Sequence, residues 1–197
     1  MRFSTVFLVI AVLAFAFLLG CTTGTDGNGD VDGPYPADSL SEARAIATPL
    51  AEEWDANAFC FWVQGFIVDK NGILPGPENL ASDSDTWALE FNAGQDSIFD
   101  VWVLYDGSYE TDEEDGYPET FYPLPDYSNA QVKSMMNKAD GEFQEHLGAE
   151  DYLYVFWLVA DETINYARVM AYNSDFSPAG FIEMDADTLE ILDASWW

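Results

Sequence analysis

Basic residues are scarce. The 197-residue chain holds 6 Lys+Arg against 36 Asp+Glu, a formal net charge of −30 at pH 7. So acidic a surface repels a phosphate backbone in almost every orientation, which excludes ordinary nucleic-acid binding, and it disfavours electrostatic docking on anionic lipid head groups. Cysteine and histidine are nearly missing as well: Cys21, Cys60 and His146 are all there is. They leave little for a zinc or thiol site, and His146-Leu-Gly-Ala-Glu150 has the wrong order for a zincin helix. There is no Gly-x-Ser-x-Gly elbow, phosphate loop or dinucleotide fingerprint. What the chain does have is core material, with 49% apolar types and 16% aromatics, which argues against disorder. The length suits one compact domain or two small ones.

The first residues give an address. Arg2 supplies a small positive start, and Val6 to Leu19 then runs without a polar side chain up to Gly20 and Cys21. As a helix this run spans ~21 Å, short of a ~30 Å hydrocarbon core, so it fits a secretory leader better than a permanent span. The ending Leu18-Leu19-Gly20-Cys21 resembles the lipobox of prokaryotic lipoproteins. That resemblance implies a signal peptide over 1–20, a lipid on Cys21 and a chain held at the outer side of a membrane. Cys60 then stands alone. Set between Phe59 and Phe61, it reads as a buried small hydrophobe, with no base in sight to make it a nucleophile.

Residues 21–38 read as a flexible tether of Gly, Asp, Thr and Pro. The alternating oxygen ligands of Asp26 to Gly33 superficially suggest a calcium loop. In the register from Asp26, however, Val31 falls where the turn glycine belongs, and in the register from Asn28, Ser39 falls where the bidentate glutamate belongs.

The folded part uses one pattern twice, which predicts an α+β fold of two tandem helix-plus-antiparallel-sheet lobes, 39–105 and 128–197. Ser39-Leu-Ser-Glu42 has the form of a capping box, and Leu40, Ala43, Ala47, Leu50 and Trp54 recur at helical spacing. Pro49 should kink that helix or restart it at Thr48. Phe59 to Val68 is apolar on both alternating sets, as a strand covered on both faces would be. Strands follow around Trp87–Phe91 and Phe99–Tyr105. Residues 106–127, with seven acids between Asp106 and Glu119 and then Pro123 and Pro125, read as a long acidic linker. The pattern then returns. Ser128-Asn-Ala-Gln131 is a second capping box, and Val132, Met135, Met136, Ala139, Phe143 and Leu147 form its apolar stripe. Tyr152–Ala160 is another strand apolar on both faces, Ile164–Tyr172 an alternating one, and Phe181–Met184 with Leu189–Leu192 a terminal hairpin.

That second unit resembles a PepSY-type domain, a helix followed by an antiparallel sheet in a cystatin-like wrap. The match is Ile182-Glu-Met-Asp185-Ala186-Asp-Thr188-Leu189-Glu-Ile191-Leu192, with Leu189 where the family pattern has Gly. The resemblance implies an extracytoplasmic, non-catalytic module that binds or restrains peptidases or acts in the cell envelope, with no catalytic residue to carry over.

The acids have three readings: salt adaptation, since a dense carboxylate surface stays soluble when salt screens it; a cation site, with Glu110, Asp112, Glu113, Glu114 and Asp115 as calcium ligands; or a cationic protein partner. The expectation is a non-enzymatic envelope lipoprotein that binds a protein or peptide partner through a strand edge or an aromatic patch, a calcium-binding or purely structural acidic envelope lipoprotein being the alternative.

Overall fold

The computed structural model describes residues 37–75, 86–94, 96–115, 120–148 and 150–197. The leader, the lipidation site Cys21 and the tether up to residue 36 lie outside the described residues.

The elements run α1 Leu40–Trp54, β1 Phe59–Val68, β2 Thr86–Asn92, β3 Ser97–Leu104, β4 Tyr109–Asp115, α2 Asn129–Leu147, β5 Leu153–Ala160, β6 Asn165–Tyr172, β7 Pro178–Asp185 and β8 Ile191–Trp196. Each helix starts where its capping box sits. Glu42 reaches back to accept from the Ser39 amide at 3.0 Å, and Gln131 does the same for Ser128 at 3.0 Å. The first helix runs unbroken through Pro49. Pro49 and Ala45, whose carbonyl loses its helical donor there, are both exposed, so water can take the place of the missing N–H.

All eight strands form one antiparallel sheet in the order β4-β3-β2-β1-β5-β6-β7-β8. The two helix-plus-meander units therefore share a sheet rather than each carrying its own. They meet at the β1–β5 seam, where Gln64 lies opposite Trp157, and the strand order is symmetric about that seam. One correction concerns 106–127. Tyr109–Asp115 is a paired strand, with Asp112 opposite Asp100 and Tyr109 opposite Val103. Its acids hide it, because strand propensity disfavours Asp and Glu, yet charge is what a sheet-edge strand carries to block further pairing. Nor is the rest of that stretch a surface connection throughout. The Leu124 amide donates to the Cys60 carbonyl at 2.7 Å, and Leu124 and Tyr127 are buried.

One core lies between the helices and one face of the sheet. Ala43, Ala47 and Ala51 of α1 and Met135, Met136 and Phe143 of α2 pack with Val63, Trp87, Leu89, Val101, Phe156 and Ile182 of the strands. Full burial of each large side chain contributes ~1.5–3 kcal/mol. Gly65 lies opposite Trp87 on this face, and the Trp87 indole N–H donates to the Asp38 carbonyl at 3.3 Å. At the β7–β8 turn Asp185 accepts from the Asp187 and Thr188 amides, both at 2.8 Å, and Leu189 adopts φ +61°. The turn thus keeps the left-handed conformation that glycine would enter freely.

Candidate functional site on the open face of the sheet

Side chains alternate across a strand, so the residues between the core positions point away from both helices. Among the described residues no helix packs on that opposite face, yet it is rich in large apolar groups. Trp62 and Phe66 of β1, Trp102 of β3, Trp157 of β5 and Met170 of β6 are each half-buried there. The sequence reading of β1 and β5 as covered on both faces is met on one face only. Of the second apolar sets, Trp62, Phe66 and Trp157 are only half-buried, while Val68 and Val155 are buried.

The strand registers set polar rows into this face. In the second unit Trp157 of β5 lies opposite Arg168 of β6, which lies opposite Glu183 of β7, itself opposite Asp193 of β8. Arg168 Nε donates to Glu183 Oε2 at 2.5 Å, and its guanidinium sits 5.6 Å from the Tyr166 ring centre. In the first unit Trp62 of β1 lies opposite Glu90, Glu90 opposite Asp100, and Asp100 opposite Asp112. The two rows match strand for strand: tryptophan on the first, a charge on the second, an acid on the third, an aspartate on the fourth. Only the second position changes sign.

The consequence is a half-buried group of like charges. Burial pushes the Glu90 carboxyl up to about 8, with Asp100 and Glu114 adding repulsion. Burial likewise pushes Asp100 up to about 7, helped by Glu114 and Asp112. Asp100 Oδ1 is shut off from solvent with no hydrogen-bond donor.

Of the proposed calcium ligands, Glu110, Asp112 and Glu114 share the open face by alternation, while Glu113 and Asp115 fall on the other side of β4. A strand cannot converge them as a loop would. Among the described residues no group of three or more His, Cys, Asp or Glu is placed to hold a metal ion. Glu90 and Asp100, brought opposite each other by the β2–β3 register, carry no local signal in the sequence because nothing near them in the chain pairs them. The available signal was two carboxylates set at strand positions amid Trp87, Phe91, Phe99 and Val101.

The other side-chain groupings are structural. A hollow of about 340 Å³ beside Tyr122 is lined by Asp161, Asn165, Asp185 and Asp187. There Asp185 is occupied by turn amides, and Asp187 accepts from the Tyr127 hydroxyl at 2.9 Å. A second hollow, about 440 Å³, holds Arg44, which is ion-paired with Asp126 and donates to the Pro125 carbonyl at 3.2 Å. Burial pushes the Cys60 thiol up to about 12, so it carries no thiolate at neutral pH.

No family model matches the chain. No curated protein matches it either. Among solved structures it is similar to a candidate lipoprotein from Clostridium difficile 630, at a TM-score of 0.52 and 11% identity, over 84% of this chain and 95% of that one. That likeness is one of fold. Among the described residues no helix is long and apolar enough to cross a membrane.

Proposed function

We propose that this chain is a lipid-anchored, extracytoplasmic envelope protein, not an enzyme, that binds a protein or peptide partner on the open face of its sheet. One observation carries the reading: tryptophans, Phe66 and Met170 occupy a face that no described helix covers. These side chains are half-buried rather than fully covered, and aromatic and methionine side chains are the types enriched at interaction surfaces. The anchor rests on the leader ending Leu18-Leu19-Gly20-Cys21, and the name borne by the structurally similar clostridial protein agrees with it. The PepSY-like ending of the second unit adds a peptidase to the partners worth testing.

The test is photo-crosslinking in intact cells. A crosslinking residue at Phe66 on the open face should give a discrete adduct, whereas one at exposed Glu145 on α2 should not. Equal adducts at both positions, or none at Phe66, would contradict the reading. Cys21→Ala should abolish acyl labelling and release the chain from the membrane fraction.

A further inference from the structure

The two units present the same row of side chains with one difference, and that difference names an occupant. In the second unit the row Trp157–Arg168–Glu183–Asp193 contains its own cation, and Arg168 is bound to Glu183. In the first unit the matching row Trp62–Glu90–Asp100–Asp112 has a carboxylate where the arginine would be. Arg168 is the sole basic residue among the described residues of this face, and it sits three strands across and two residues along from Glu90, about 16 Å away on ladder spacings. It cannot serve both rows.

We propose that the first row is completed from outside: an arginine side chain of the partner polypeptide lies beside Trp62 and pairs with Glu90 and Asp100 as Arg168 pairs with Glu183. This deepens the function proposed above and rests on it. Three observations converge on it. Glu90, Asp100, Asp112 and, along β4, Glu110 have no cation facing them from β1, whose positions on this face are Trp62, Gln64 and Phe66. Asp100 Oδ1 is buried and lacks a donor, and an incoming guanidinium brings several. The neighbouring indole of Trp62 is half-buried, offering an aromatic face of the kind on which a guanidinium stacks. Binding is electrostatic and apolar at once, with no covalent step.

The test must separate this row from general attraction to an acidic protein. The probe is a labelled peptide, Ala-Leu-Arg-Leu-Arg-Leu-Ala, and its control carries citrulline, neutral and nearly isosteric, in place of arginine. Both are titrated against the full-length protein in detergent at about 0.15 M salt, where distant charges are screened. Two variants make the same change in net charge, Glu90→Arg on the row and Glu145→Arg on the outer side of α2. Glu90→Arg, which supplies the missing cation internally, should weaken the arginine peptide by about tenfold or more relative to Glu145→Arg. It should also raise the melting temperature above that of Glu145→Arg. Should Glu90→Arg fail to fold, Glu90→Gln against Glu145→Gln is the comparison, with a severalfold loss expected for the former.

Equal weakening by the two variants, or equal binding of arginine and citrulline peptides, would overturn the inference. So would saturable calcium binding removed by the row variant, which would assign the row to a metal ion. A crosslink at Phe66 that persists when the arginine preference is absent would leave the binding face standing and remove only this inference.

Discussion

Glu90 and Asp100 stand directly opposite each other across the β2–β3 ladder, two carboxyls that burial first and repulsion from neighbouring acids second (Asp100 and Glu114 on Glu90, Glu114 and Asp112 on Asp100) raise toward or above neutrality. The folded chain therefore holds protons that the unfolded chain releases near pH 4. Stability from these groups is fully present below that point and is lost as pH rises through about 7 and 8, the folded values of Asp100 and Glu90. At fixed ionic strength the melting temperature should fall between pH 5 and 9. Glu90→Gln should flatten the slope, and parallel curves for variant and parent would dissociate the pair from the effect.

Gly65 has no room to grow. A Cβ there would lie 2.7 Å from Trp87 Cζ3 and 2.8 Å from Val68 Cγ1. Gly65→Ala should cost ~1–3 kcal/mol in denaturant unfolding, as overpacking of a dense core does. Combining it with Trp87→Leu should cost less than the sum of the two single changes. Strict additivity would show that the contact is not the cause.

Phe176 sits in the loop between β6 and β7 at φ +63° and is 56% exposed. A left-handed conformation costs a bulky residue ~1–2 kcal/mol, and little packing is at stake there. Phe176→Gly should leave stability unchanged or raise it by up to ~1 kcal/mol, after the greater freedom glycine gives the unfolded chain. A clear loss would mean that the ring makes contacts that stabilise the fold.

An excess of 36 acids over 6 basic residues makes the native surface self-repelling. Raising salt from about 0.01 M to 1 M shortens the screening length from about 30 Å to 3 Å, so the melting temperature should climb steeply. A flat profile would remove salt adaptation as the explanation of the acidity.

What was legible in the sequence was local. Both capping boxes, the α2 stripe from Val132 to Phe143 and the ten-residue span of β1 follow from contacts within a few residues. The strand Tyr109–Asp115 was illegible because its pairing with Ser97–Val103 outweighs propensities that disfavour acids. The single shared sheet was hidden for the same reason: the β1–β5 pairing joins residues about ninety positions apart, and no periodicity encodes it. The candidate site is entirely a product of register. Glu90 and Asp100 are unremarkable in the sequence, Asp112 stands out there only as part of an acidic run, and the three become a row only when three strands align them.

The most direct test of a covered open face is oxidative footprinting of tryptophans in the native envelope against the purified protein. Trp62, Trp102 and Trp157 should be several times less reactive in the envelope, while Trp197, 64% exposed at the chain end, should react alike in both. Equal reactivity of the three open-face tryptophans in the two settings would show that nothing docks there.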